Sequence, residues 1–251
     1  MSAIHPTLRG RRALAAATID KLHSNAVVGM VGARQVGKTT LAGLIAARWP
    51  GRIHRFDLEN PLDVARLADP MLALRDLRGL VIIDEIQHAP ALFTVLRVLA
   101  DRREVDVRFL LLGSASPELL QPSAESLAGR IVYIEVPPFR LVELDDDDQL
   151  SAELIARRWL RGGFPRSFLA DSDDRSAQWR DAFVQTFLER DLAQLGASIP
   201  PVAARRLWTM LAHHHGAVVN VAALSRSLGT SDPTLRRWLD LLSGALVVRQ
   251  L

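Results

Sequence analysis

The sequence predicts an α/β protein: a parallel sheet with helices on both faces, followed by a half that is all helical. Three observations predict this. Five short apolar runs alternate with segments of helical spacing over residues 1–136. Two of those runs, "LVII" and "FLLL", are apolar at every position, as strands buried on both sides must be. Beyond the four consecutive aspartates at 145–148 the strand-like runs stop and helical spacing takes over.

The strands are expected in "AVVGMV", "RIHRFDL", "LVIID", "RFLLLG" and "RIVYIEV". Helical spacing falls between them in "TLAGLIAARW", "PALFTVLRVLADRR" and "SPELLQPSAESLA". Alternation of this kind feeds successive strands into a parallel sheet through helical crossovers. Asp145, Asp146, Asp147 and Asp148 repel one another and mark a loop or domain edge. A calcium loop would need spaced ligands and a turn glycine, which this run lacks. Helices then extend to about Leu242, interrupted at "RGGFP" and "GASIPP".

Composition narrows the class. At 251 residues, 49% hydrophobic and 24% charged, the chain is an ordinary globular protein. No apolar run approaches the roughly 20 residues that cross a bilayer, so no membrane partner is expected. The amino terminus lacks the continuous apolar core of a secretory signal. Without cysteine there are no disulfides and no thiolate metal sites, and a cytoplasmic location is expected. Thirty-one basic residues against 28 acidic ones leave a net charge of +3, too balanced to mark the whole chain as a nucleic-acid binder. Only Lys21 and Lys38 among the basic residues are lysines.

One of those two lysines lies in the most informative stretch, "GARQVGKTT". Gly32-x4-Gly37-Lys38-Thr39 matches a phosphate-binding loop, with a strand before it and a helix after it. The glycines let the backbone curl so that N–H groups of Gly32, Ala33, Arg34, Gln35, Val36 and Gly37 converge on an anion. The helix starting near Lys38 adds its dipole, and Thr40 completes its first turn. Lys38 is expected to reach the β- and γ-phosphates, and the Thr39 hydroxyl to ligate Mg²⁺. "LVIIDEIQ" supplies the second element. Asp84 ends a buried strand, where ligands bind in open α/β sheets, and is the expected second Mg²⁺ ligand. Glu85 follows as the expected base for the attacking water. The acidic doublet favours ATP over GTP as substrate, and no Asn-Lys-x-Asp guanine-reading motif is present. Ser114, at the tip of "RFLLLGSAS", is placed to sense the γ-phosphate. Arg130, ahead of the last strand, is a candidate arginine finger for a neighbouring subunit, or else a plain surface arginine.

"GARQVGKTTLA", "FDLENPLDVARLADP", "VIIDEIQHAP", "LLLGSAS" and "SLAGRIVYIEVPPFRLVEL" occur in the order seen in AAA+ P-loop ATPases. More narrowly the chain resembles prokaryotic AAA+ ATPases that carry a C-terminal domain of unknown function, a likeness extended by "RGGFPRSFLA" and "FLERDLAQLG". The resemblance implies a P-loop NTPase sheet in the order 5-1-4-3-2, ATP and Mg²⁺ as ligands, and ATP hydrolysis coupled to a partner. It divides the chain into an ATPase domain over 1–144, a helical lid over 149–200 and an incomplete winged helix over 201–251. It also implies a lid arginine that senses nucleotide, with Arg161, Arg166 and Arg190 as candidates; Asp191 beside Arg190 favours a structural ion pair there. Related chains usually continue into a further domain that looks nuclease-like, so a shortened chain is expected here.

Residues 201–251 read as a helix, then "VAALSRSL", a glycine turn and "DPTLRRWLDLL". Ser231 or Asp232 caps the third helix, with Pro233 in its first turn. This is helix-turn-helix spacing followed by one strand of a wing, with Arg236 and Arg237 placed to meet DNA phosphates. A winged helix also serves for contacts within a protein machine, so a homo-oligomer and DNA both stand as partners to test. The rival function is a nucleotide-gated switch or DNA-binding regulator with little turnover. His213, His214 and His215 point about 100° apart on a helix and cannot converge on one metal, so a polar helix end is expected. Trp159, Trp179, Trp208 and Trp238 are expected to pack in the helical cores.

Overall fold

A computed structural model describes residues 8–102, 106–114, 127–144, 151–194 and 199–250. The aspartate run, Leu251, most of the helix expected in "SPELLQPSAESLA" and part of "GASIPP" lie outside the described residues. Two compact units divide the chain, Met1–Leu169 and Ala170–Leu251.

The first unit is built on β1 (Val27–Val31), β2 (Ile53–Asp57), β3 (Gly79–Asp84), β4 (Val107–Gly113) and β5 (Ile131–Glu135). All five expected strands form, within a residue or two of their apolar runs. They make one parallel sheet in the order β2-β3-β4-β1-β5, the order the resemblance implied. Register runs Val27 to Phe109 and Ile131, and Val31 to Gly113 and Glu135, so the carboxyl ends of β1, β4 and β5 lie side by side.

Alternate residues of each strand face opposite sides. On one side Val81, Ile83, Phe109 and Leu111 pack against Leu92, Phe93, Leu96 and Leu99. Those last four are the apolar stripe of α5 (Leu92–Ala100). The other side meets α1 (Leu8–Ser24) and α2 (Lys38–Ala46). The inward stripe of α1 is Arg11, Ala15, Thr18 and Leu22, all buried. Its two polar members each make a hydrogen bond, Thr18 within the helix and Arg11 to the chain after β5. Thr18 Oγ1 donates to the Leu14 carbonyl at 2.7 Å, and Arg11 Nη2 donates to the Pro137 carbonyl at 2.7 Å while its guanidinium lies over Phe139.

Two short helices, α3 (Pro61–Arg66) and α4 (Pro70–Leu74), lead from β2 toward β3. Each starts with proline after an acceptor cap: Asn60 takes the Leu62 N–H and Asp69 the Leu72 N–H. After β5 come α6 (Leu141–Leu144), α7 (Ala152–Arg161) and α8 (Pro165–Phe168). Leu154 of α7 packs on a small core of Phe139, Leu144 and Phe168. Arg158, on the same helix face, donates Nε to the Phe139 carbonyl at 2.9 Å. Trp159 lies on the opposite face and is 91% exposed, so the expectation that it fills a helical core is corrected. The inward positions of α7 are taken by Leu154, Arg158 and Arg161, and a helix has no room to turn Trp159 inward as well.

The second unit is helical. Ser172 caps α9 (Asp173–Thr186), which runs through a π-helical turn at Phe187–Asp191 into α10 (Leu192–Gln194). Trp179, Phe183 and Phe187 stack in series, and Trp208 of α11 (Pro201–His213) tilts against Phe187 at 5.7 Å between ring centroids. The histidines form the end of α11, with His214 as its C-cap. Among the described residues no cluster of three His, Asp or Glu could hold a metal. Then come α12 (Val221–Leu228), ended by left-handed Gly229, and α13 (Asp232–Gly244), capped by Ser231 with Pro233 in its first turn. Trp238, Leu235, Leu239 and Leu242 form the buried face of α13, and Arg236 and Arg237 are exposed. The expected wing strand does not form: residues 245–248 run in turns and bends, and 249–250 belong to no regular element. Among the described residues no second strand lies beside them to complete a ladder.

Candidate active site at the carboxyl end of the sheet

The loop leaves β1 in the gap between β4 and β5. The Gly32 N–H donates to the Gly113 carbonyl at 3.2 Å, and the Val136 N–H donates back to Val31 at 2.7 Å. A Cβ on Gly32 would lie 2.6 Å from the Val136 carbonyl oxygen, so only glycine fits this passage. Gln35 (φ 63°) and Gly37 (φ 98°) are left-handed, which curls the chain over and starts α2 at Lys38. Ala33 and Val36 are buried beneath the curl, while Gln35, Thr39 and Thr40 are exposed. Arg34 reaches sideways, and its Nη2 meets Glu59 Oε1 of the β2–α3 loop at 2.9 Å. Pro165, first residue of α8, borders the loop: a Cβ on Gly37 would sit 3.6 Å from its Cγ.

Lys38 is 5% exposed, and Nζ donates to Gly32 O at 3.0 Å, Ala33 O at 3.3 Å and Ser114 Oγ at 3.0 Å. All three ammonium donors are therefore held, which fixes the side chain under the loop. Burial lowers its pKa below the ordinary lysine value, and the nearby charges of Glu85 and Asp84 oppose that shift.

Asp84 ends β3 beside the loop. Its Oδ2 accepts the Thr39 hydroxyl at 2.8 Å and its Oδ1 accepts the Glu85 N–H at 2.9 Å. Burial raises its pKa, opposed chiefly by the Thr39 hydrogen bond. Glu85 turns sharply away from the strand in a left-handed conformation (φ 53°, ψ 47°) that a non-glycine residue adopts at a cost of about 1–2 kcal/mol. A 3₁₀ turn, Ile86–His88, follows, closed by the His88 N–H on the Glu85 carbonyl at 3.0 Å. The Glu85 carboxylate accepts the Ser114 hydroxyl at 2.9 Å and the amide of Gln87. Ser114 thus accepts from Lys38 and donates to Glu85 with one oxygen.

Five residues singled out in sequence, Lys38, Thr39, Asp84, Glu85 and Ser114, meet around one point at the carboxyl end of the sheet. Gln87 joins them through Glu85 and Ser114, while Glu59 and Pro165 border the loop at Arg34 and Gly37; the motifs assign none of these three a role, although "DEIQ", "FDLENP" and "RGGFP" carry them. Arg130 is elsewhere. It precedes Ile131, which pairs with Val27 at the amino end of the sheet, and it forms a two-pronged ion pair with Asp101 at 2.6 and 3.0 Å. Arg161 is buried in the α7–α8 turn, with Nη1 on the Phe168 carbonyl at 3.3 Å and its own carbonyl taking the Ser167 hydroxyl at 2.6 Å. Arg166 is exposed. Arg190 pairs with Asp191 at 3.5 Å, the ion pair that "LERD" suggested.

The family model described as an AAA domain matches residues 24–144, the span that carries the sheet and the loop. This segment is an AAA domain. A second model, a domain of unknown function, matches residues 152–251. Two curated relatives, uncharacterized proteins of Mycobacterium tuberculosis (strain H37Rv) and Mycobacterium bovis, are each 52% identical over 241 residues, 96% of this chain. The alignment covers 53% of either relative, so the chain spans about half the length of the proteins it matches. Among solved structures, the Walker-type ATPase of Pyrococcus abyssi superposes with a TM-score of 0.55 at 14% identity, covering 97% of this chain and 93% of that one. That likeness bears on the fold, and it agrees with an AAA domain on a P-loop sheet. No helix among the described residues is long and apolar enough to cross a membrane.

Proposed function

We propose that the AAA domain binds ATP with Mg²⁺ and hydrolyses it to ADP and phosphate. The observation that carries this is the shared hydroxyl of Ser114, hydrogen-bonded to both Lys38 and Glu85, beside the Thr39–Asp84 pair. A hydroxyl and a carboxylate are hard oxygen donors and suit Mg²⁺, which keeps its remaining positions for phosphate and water. When bound, Mg²⁺ supplies charge neutralisation across the β- and γ-phosphates. The loop N–H groups and the amino end of α2 bind the phosphate chain, and Lys38 offsets the charge that develops on it. Glu85 accepts a proton from water as the water oxygen bonds to the γ-phosphorus and the bond to the bridging oxygen breaks. Ser114 holds Lys38 and Glu85 at a fixed separation while this happens.

Turnover of ATP by the full chain in Mg²⁺, measured beside binding, tests the reading. Lys38→Ala is expected to lose binding, and Glu85→Gln to keep binding while turnover falls at least 100-fold. Wild-type protein that shows no heat of binding at millimolar ATP refutes the reading.

A second reading has a specific observation behind it. The exposed Arg236 and Arg237 on α13, in a helix-turn-helix pair with α12, favour duplex DNA as a partner of the second unit. Under it, nucleotide state in the AAA domain would gate DNA contact with little need for turnover.

A further inference from the structure

The amide of Gln87 makes two contacts that no role above requires. Its nitrogen donates to Glu85 Oε2, and its oxygen accepts the backbone N–H of Ser114 at 3.4 Å. The amide orientation follows from chemistry. Reversed, it would set oxygen against a carboxylate and NH₂ against an N–H, two repulsions in place of two bonds. Gln87 therefore ties the carboxylate after β3 to the backbone at the end of β4, across the gap between two adjacent strands.

The backbone makes this reach available. Left-handed Glu85 reverses the chain, and the 3₁₀ turn carries Gln87 back beside the residue two positions earlier. Ile86, between them, is buried in the sheet core and anchors the turn. Without Gln87 the Glu85 carboxylate keeps, among the described residues, one hydrogen-bond partner, the Ser114 hydroxyl, which can rotate. With it the carboxylate is held from two directions.

We propose that Gln87 is a positioning residue for the water-activating carboxylate: through its bridge from Glu85 to the Ser114 N–H it sets where Glu85 stands relative to the phosphate loop. The inference rests on the hydrolytic reading above and adds a requirement to it. Among the described residues Gln87 hydrogen-bonds to Glu85 and Ser114 and not to the phosphate loop or the Thr39–Asp84 pair, so its loss should act on the chemical step alone. Misplacing a general base by about 1 Å costs on the order of 100-fold in rate.

The test compares wild type, Gln87→Met and Gln87→Glu in the full chain, with Mg²⁺ and ATP. Gln87→Met keeps length and volume but removes both hydrogen bonds; Gln87→Glu can still accept from Ser114 but sets a second carboxylate against Glu85. Both are expected to lower kcat about 10- to 100-fold with ATP affinity, measured by calorimetry, within twofold of wild type. The Met change, added to Glu85→Gln, is expected to lower kcat no further, because a positioning residue has nothing left to position. A residue that only maintained structure would lower the melting temperature, weaken ATP binding and depress rate again in the Glu85→Gln background. Wild-type turnover with kcat unchanged in Gln87→Met overturns the inference and leaves the hydrolytic reading standing. Wild type that binds ATP without turning it over overturns both.

Discussion

Three glycines in and beside the loop differ in what an added methyl group meets, and this makes Gly32→Ala a calibrated perturbation. At Gly32 the new Cβ would lie 2.6 Å from the Val136 carbonyl oxygen and 3.0 Å from Val36 Cγ1. The carbonyl cannot yield freely, because the Val136 N–H is tied to Val31 at 2.7 Å. The loop must therefore lift by about half an ångström, an overpacking cost of about 1–3 kcal/mol. For a chain of this size that is roughly 2–12 °C in melting temperature, at 2–4 °C per kcal/mol. Gly32 also supplies the carbonyl that receives Lys38 Nζ at 3.0 Å, so the displacement is transmitted to the ammonium group. ATP affinity is expected to fall about tenfold or more, each tenfold being roughly 1.4 kcal/mol. Gly37→Ala meets nothing closer than Pro165 Cγ at 3.6 Å, and its cost is backbone strain alone, about 1–2 kcal/mol. Gly43→Ala in α2 meets nothing within 4 Å and should stabilise by about 0.5–1 kcal/mol. Thermal melting and calorimetry with ATP and Mg²⁺ on all three variants check the order. If Gly32→Ala melts and binds like wild type, the steric account of the loop is wrong.

The remaining expectations concern charge. Burial raises the Asp84 pKa, so the folded state holds a proton more tightly than the unfolded one and stability falls as pH rises above 3.8. Asp84→Asn should therefore melt higher than wild type at neutral pH, the gap narrowing as pH is lowered toward that value, while turnover is lost; an equal gap at every pH would contradict this. Arg130→Ala should leave ATP affinity unchanged, since Arg130 sits at the amino end of the sheet. Any loss of turnover should appear only at concentrations where sedimentation shows association, and a strictly monomeric, fully active protein would leave Arg130 no role toward a neighbour. Replacing Arg236 and Arg237 together by alanine should abolish salt-dependent retention on duplex DNA. Wild type that fails to bind DNA at low salt removes the second reading.

The sheet was legible because its strands are buried on both faces and read as unbroken apolar runs, "LVII" and "FLLL" above all. The phosphate loop was legible because its geometry constrains residue type at nearly every position. Helix α1 was not anticipated, and the reason lies in its buried stripe, where Arg11 and Thr18 alternate with Ala15 and Leu22 and erase the hydrophobic period. Its alanines, good helix formers, were the available signal. Helices α3 and α4 carry clear start signals, Asn60-Pro61 and Asp69-Pro70, but are too short for periodicity to show. Trp159 was misplaced because aromatic content predicts burial on average, whereas α7 turns two arginines inward instead. Gln87 was invisible as a functional residue for a different reason. Its position depends on a left-handed turn at Glu85 that no propensity rule assigns to glutamate.

The burial of Lys38 has a practical side. Lys21, at an exposed position on α1, carries the other side-chain amine of the chain. Under mild acylation Lys21 should take up label while Lys38, sealed beneath its own loop, stays intact. Among the side-chain amines a dye or a tether is thus directed to one place, the outer surface of α1, with the α-amine of the chain as the other group that takes up label.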